Sequence, residues 1–263
     1  DQIVPPRATE AYVEEVTARM GGEAVAEFLR FYRVPGVSHS GNGIAFADYG
    51  AALPKALEVM NRPVYEARLV KSWLPAMPDV MARLQAGGRA LDVGCGTGVV
   101  PLTLAKAFPA AAVAGLDLDA PSIDIARGYA RDAGLEGRVS FLAQPLEALP
   151  ATPAWDLIST FDVMHDLPDP VGAMQHIRAA LADGGTYLMV EPKVGDDLEI
   201  NLANPFARMF YGISCLHCVP QSLAQGGGGL GGCWGEQRAR ALARLASKSS
   251  FSVLSTSSRL RWP

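Results

Sequence analysis

The sequence predicts an α/β protein built on a doubly wound, mostly parallel sheet with a small helical N-terminal region. Three observations predict it. From residue 89 onward, apolar runs of about five residues alternate with amphipathic stretches of about 10–15, the signature of parallel βαβ units. A glycine-rich turn, LDVGCGTG at 91–98, joins the first such run to its helix. A chain of 263 residues can hold one domain with a full core plus a smaller appendage.

Residues 8–32 (ATEAYVEEVTARMGGEAVAEFLRFY) read as helical, interrupted at Gly21-Gly22, and 35–50 (PGVSHSGNGIAFADYG) as loop. Residues 54–72 read as two helical stretches divided at Pro63, where the missing N–H stops a hydrogen-bond ladder. RALDV is the first strand and VVPLTLAKAF its helix. AAVAGLDL is the second strand, followed by PSIDIARGYARDAG, a helix with an early Pro and a terminal Gly. RVSFLAQP is the third strand and WDLISTFDVM the fourth. PVGAMQHIRAALADGG is the next helix, and TYLMVEP the fifth strand. These readings divide the chain into a helical N-terminal region at 1–77 and a sheet domain at 78–263. The stretch 196–232 is too long for a simple connection, and long loops usually carry function. Phe206, Met209, Phe210 and Tyr211 suit it to be a lid over a hydrophobic ligand, with Gly226–Gly232 as hinge. The same residues are equally suited to a core.

A net charge of −4 and the absence of a Lys/Arg stripe exclude a nucleic-acid surface as the expected partner. No apolar run reaches the ~18 residues of a membrane-crossing helix. Four cysteines, clustered rather than spread, do not make a secreted disulfide framework, so a reducing, cytoplasmic setting is expected.

Within the glycine turn, Gly94, Gly96 and Gly98 let the backbone bend tightly and approach a ligand with no Cβ in the way. The turn lacks the G-K-[ST] of a phosphate-gripping loop. Asp92 precedes the glycines at the end of the first strand, where a carboxylate opposes a pyrophosphate but suits a cationic amino group. Asp117 ends the second strand, where a carboxylate can accept both hydroxyl protons of a ribose.

This combination resembles the class I S-adenosyl-L-methionine (SAM) methyltransferases, whose first motif has the form E/D-x-G-x-G-x-G. The resemblance runs over about residues 89–191. It implies a SAM pocket lined by Asp92, Gly94, Cys95, Gly96 and Gly98, with Asp117 on the ribose and Leu118 against the adenine. Pro145 stands where many relatives carry an acid for the adenine amine, and Gln144 is the residue that could replace that acceptor. Leu146 and Phe161 complete the implied cofactor set. A narrower resemblance, carried by NRPVYEARLVKSWLPAMPDV and NPFARMFYGISCLHC, is to a bacterial-type group that joins a winged-helix N-terminal domain to the methyltransferase domain. Here it implies a remnant winged helix at 10–32 with the GNGIAFADYG loop. SFSVLSTSSRLRWP then supplies one strand and a stub where the group has a closing hairpin.

His165 follows the fourth strand, on the rim where ligands of such sheets sit. HDLPDP resembles the HDW-x-D stretch of small-molecule O-methyltransferases, in which the histidine is the general base, and Glu191 matches the acid that orients it. The competing reading makes His165 a strand-end cap. Asp166 and Asp169 read as helix N-terminal residues. Cys215, Cys218 and Cys233 read as buried small residues, with a metal or a thiol-binding role as alternatives; no metal site is expected. The sequence therefore points to a SAM-dependent methyltransferase acting on a small hydrophobic, aromatic or acyl acceptor, at oxygen, with His165 and Glu191 as the catalytic pair. A SAM-binding regulatory protein without turnover and a thiol or arsenic methyltransferase remain the alternatives. The N-terminal helices suit homodimer contacts or cover for the pocket.

Overall fold

The computed structural model describes residues 18–19 and 43–246. The expected helix at 10–32 falls outside the described residues apart from Ala18 and Arg19, as does the C-terminal SFSVLSTSSRLRWP; of the GNGIAFADYG loop, residues 43–50 are described and hold a 3₁₀ turn at Phe46–Tyr49. Five parallel strands form one sheet in the order β3-β2-β1-β4-β5: β1 Arg89–Val93, β2 Ala112–Asp117, β3 Val139–Ala143, β4 Trp155–Phe161 and β5 Leu181–Val190. Ahead of the sheet lie α1 (Ala52–Arg68) and α2 (Pro78–Gln85). The crossovers are α3 (Val99–Ala107), α4 (Ala120–Asp132) and α5 (Pro170–Ala180). After β5 come α6 (Leu198–Asn201), α7 (Ala207–Ile213), a π-helical turn (Ser214–Cys218), α8 (Val219–Ala224) and α9 (Glu236–Ala246).

The doubly wound arrangement follows from the two-residue period of the strands. Ala90, Val113, Leu157 and Leu188 face one core with α3, α4 and the 65–84 segment. Their neighbours Leu91, Ala114, Ile158 and Met189 face the other, with α5 and α9. Both faces are buried, which is why the strands read as continuous apolar runs rather than alternating ones. Tyr65, Leu69, Trp73, Leu74 and Met77 share the first core, so the helical segment before the sheet is packed into it.

Three expected boundaries differ. The helix does not break at Pro63: α1 runs through it to Arg68. The carbonyl deprived of a donor there belongs to Val59, which is 64% exposed, so water takes the bond that proline cannot make. The helix expected to reach Gly185 ends at Ala180, because Leu181 turns extended and pairs with Trp155. Residues 182–185 then bulge out before Thr186 rejoins the ladder opposite Leu157. The fourth strand ends at Phe161, short of Met164, because Asp162 adopts a left-handed φ of 56°.

Candidate active site

The strand order reverses between β1 and β4, and the crevice at their C-terminal ends is where an open α/β sheet receives its ligand. A cavity of about 1050 Å³ opens there, at the upper end of the ~300–1,000 Å³ usual for small-molecule sites. The glycine turn forms its floor. Gly94, Gly96 and Gly98 all have positive φ, but they serve different ends. A Cβ on Gly96 would meet nothing within 4 Å, so that position is kept bare toward the cavity. A Cβ on Gly98 would stand 2.8 Å from the Phe141 ring and 2.9 Å from Ala126. Gly98 therefore lets α3 pack against β3 and α4; it is not among the residues lining the cavity.

Asp92 is 2% exposed and lies in register with Ser159 of β4, whose hydroxyl donates to its Oδ1 at 2.7 Å. Burial pushes this carboxyl up to about 8, against the Ser159 hydrogen bond and with help from the nearby Asp117 charge. Asp117 accepts from the Gly96 N–H at 2.7 Å and the Asp119 N–H at 2.9 Å. Burial raises its pKa as well, and those backbone donors oppose the rise. Each carboxylate oxygen retains a lone pair beyond these bonds. Leu118 and Leu146 also line the cavity, as do Cys95 and Phe161. Gln144 does not: its backbone N–H donates to the Asp117 carbonyl at 3.0 Å, and its side chain is absent from the lining. The structure thus does not bring Gln144 to the position where an adenine acceptor was expected.

Around the rim, Asp162 and Tyr65 join the site without having been singled out by sequence. The Tyr65 hydroxyl donates to Asp162 Oδ2 at 2.6 Å, and burial, then the Glu191 charge, hold the Asp162 carboxyl at about 6. A half-buried aspartate with φ of 56° is a strained conformation of the kind that clusters at functional sites. Its signal was present in FDVM, hidden within an apolar run. Tyr65 left no signal, since its partner is distant in sequence.

His165 is 3% exposed and lines the cavity. Its Nδ1 makes a short hydrogen bond to Glu191 Oε2. Glu191 is itself fixed, accepting from the Met164 N–H at 2.9 Å and from Trp234 Nε1 at 3.2 Å. Burial acts to lower the imidazole pKa, but the Glu191 and Asp166 charges outweigh it and hold the group well above its ordinary value. Asp169 caps α5, accepting from the Gly172 N–H at 2.9 Å. Asp166 does not cap that helix. It is buried beside His165 and His217, a correction that follows from the turn at 162–166 folding inward.

The segment after β5 covers the cavity: Pro205, Phe206, Met209, Phe210 and Ile213 all line it. Cys218 is buried, Cys233 half-buried and Cys215 exposed. Among the described residues the donor group that converges is His165, Asp166 and Cys218, not the three cysteines. The thiol-triad alternative therefore lacks its geometry.

A family model described as a methyltransferase domain matches residues 84–235, more than half of the chain. The chain belongs to this family of methyltransferase domains, whose cofactor is SAM. Curated relatives include the ubiquinone biosynthesis O-methyltransferases of Psychrobacter cryohalolentis, 31% identical over 106 residues and 40% of each chain, and of Bordetella avium, 34% identical over 101 residues, 38% of this chain and 40% of that one. The match spans about 40% of the length of these relatives. A solved structure from Nostoc punctiforme, described as a candidate O-methyltransferase, shares the fold with a TM-score of 0.53 at 19% identity, over 75% of this chain and 53% of that one. A second family model, tannase and feruloyl esterase, matches residues 1–68, most of which lie outside the described residues. No helix among the described residues is long and apolar enough to cross a membrane.

The residues at the switch point fit the cofactor. The bare Gly96 faces open space, and Asp92 and Asp117 offer acceptor capacity toward the cavity, which suits a cationic amine and a ribose diol. Asp92, Gly94, Cys95, Gly96, Asp117, Leu118, Leu146 and Phe161 are the expected cofactor residues that reach the cavity.

Proposed function

We propose that this methyltransferase acts on oxygen of a small hydrophobic acceptor, aromatic or acyl, with His165 as general base and Glu191 as the residue that orients it. The observation that carries the reading is His165 in the cavity wall backed by Glu191, which is locked by Met164 and Trp234. A carboxylate on Nδ1 holds that nitrogen as the donor. The Glu191 and Asp166 charges favour the imidazolium, so Nε2 becomes the proton acceptor only in the fraction that has lost its own proton, and turnover should rise with pH above neutrality. The cofactor supplies an electrophilic methyl group on a sulfonium, so the protein's work is to align the acceptor and take its proton. Asp92 and Asp117 hold the cofactor's cationic and ribose ends, and the apolar side chains of the 205–213 segment exclude water from the acceptor. That segment, 196–232, is the lid, and α1, whose Pro54, Glu58 and Tyr65 line the cavity, covers the pocket or makes homodimer contacts. The names of the two curated relatives described above, both ubiquinone biosynthesis O-methyltransferases, support oxygen as the methylated atom.

The test is His165→Ala assayed against a panel of phenolic and acyl acceptors. Turnover should fall by about 10²–10⁴, the usual worth of a positioned base, while S-adenosylhomocysteine binding stays unchanged. A variant that turns over at the wild-type rate on a good acceptor overturns the base assignment.

A further inference from the structure

The geometry points to a site for a borderline-soft divalent cation of the zinc type, held by His165 Nε2, Asp166 Oδ1 and Cys218 Sγ. These donor atoms lie within 4.8 Å of one another, and all three residues are buried. His165 Nε2 stands 3.3 Å from Asp166 Oδ1. Two ligands held about 2.0–2.1 Å from a tetrahedral zinc ion stand roughly 3.4 Å apart, so this separation is the edge of a coordination tetrahedron.

A second observation is independent of that spacing. Asp166 is 9% exposed, yet its Oδ1 makes no hydrogen bond. The 3.3 Å approach to the imidazole lacks hydrogen-bond geometry, and the other carboxylate oxygen is engaged elsewhere. Gln221 Nε2 donates to Oδ2 at 3.4 Å, and His217 Nε2 lies 3.9 Å from it. An unsatisfied buried carboxylate oxygen is costly, and a cation between the three donors satisfies it. One carboxylate and one thiolate balance the charge of a divalent ion. Three protein ligands leave a fourth coordination position open, as in sites where zinc meets a water or a substrate. The soft thiolate and the imidazole select zinc-like metals over magnesium or calcium.

Occupation of the site takes Nε2 from the imidazole. On the proposed base reading, a loaded chain then loses its proton acceptor and turnover falls. The binding of the ion does not depend on that reading; only this consequence does.

The test uses the full chain freed of metal by chelation and titrated with Co²⁺ alone. The expected result is one equivalent bound, with a thiolate-to-metal charge-transfer band and the visible spectrum of four-coordinate cobalt. Cys218→Ser should abolish the charge-transfer band. Asp166→Asn should weaken binding at least tenfold. Cys215→Ser and Cys233→Ser should leave the spectrum unchanged. S-adenosylhomocysteine binding, measured on every variant, shows that each is folded. Absence of binding, or a band that survives Cys218→Ser, overturns the site and reduces the cluster to an imidazolium–carboxylate pair. Stoichiometric Zn²⁺ should lower turnover reversibly by at least tenfold, with recovery on adding a chelator. Zinc that binds at Cys218 without lowering turnover overturns the base assignment of His165 and leaves the site standing.

Discussion

Asp92→Asn is the perturbation that tests most of the cofactor site at once. The carboxyl is 2% exposed, and burial carries it from an ordinary 3.8 to about 8. A folded-state pKa raised above the unfolded value means that the native state holds the proton more tightly. The associated stability is fully present below pH 3.8 and is lost as pH rises toward 8, after which it stays flat. Each pH unit in that window is worth ~1.4 kcal/mol. The ionised carboxylate thus destabilises the ligand-free fold by on the order of 5 kcal/mol above pH 8, an upper bound because the surroundings relax around a buried charge. Asparagine can keep the Ser159 contact through its carbonyl oxygen and carries no charge. The variant should therefore be more stable than wild type at pH 8.5 and equal to it near pH 4, read by urea unfolding across that range.

Cofactor binding should show the reverse. A cationic ligand favours the ionised form, so in wild type at pH 6–7 its binding releases up to one proton. Titration calorimetry in two buffers of different ionisation heat measures that proton. Affinity should rise up to tenfold per pH unit until about pH 8, where the Asp92 carboxyl ionises. Asp92→Asn should bind weakly, with neither proton release nor this pH dependence. Parallel stability–pH curves for the two proteins, together with a buffer-independent heat in wild type, would refute the reasoning.

Four further outcomes are expected. Gly98→Ala drives a Cβ to 2.8 Å from Phe141 at a φ of +83°, so it should cost ~2–4 kcal/mol in urea unfolding from overpacking and left-handed strain together. Gly96→Ala meets no neighbour and should cost only ~1–2 kcal/mol of stability, yet weaken S-adenosylhomocysteine binding at least tenfold by calorimetry. Trp234→Phe removes the 3.2 Å bond to Glu191 and should lower kcat by a factor of about 3–10, the worth of one net hydrogen bond, without changing cofactor affinity. Phe206 is 63% and Met209 45% exposed; changing both to Ala should raise acceptor KM with kcat nearly constant, while unfolding shifts by less than ~1 kcal/mol, as surface substitutions do.

Much of the fold was legible because parallel strands buried on both faces must be apolar throughout, and RALDV, AVAGLD and WDLISTF carry that mark. The cap at Asp169 was legible for a similarly local reason: it precedes a proline at a helix start and accepts a backbone N–H three residues on. The misplaced boundaries share one cause. At Pro63, at Leu181 and at Asp162, a local signal was overruled by what lay across from it: solvent in the first case, Trp155 in the second, Tyr65 in the third. Gln144 was misjudged because a residue after a strand was assigned to the cavity without knowing which way its side chain pointed.

By itself the sequence determined the alternation of strands and helices, the glycine turn and the carboxylates at the ends of β1 and β2. Each of these is set by contacts among near neighbours, or by a backbone requirement that only glycine or a short acidic side chain satisfies. Only the tertiary structure decided which distant groups share a cavity wall. It set Tyr65 on Asp162, Trp234 on Glu191, and Cys218 beside His165 and Asp166. Those pairings join segments tens of residues apart, and their chemistry depends on distances of a few ångströms. Spacing along a chain carries no such information until the sheet has brought its strand ends together.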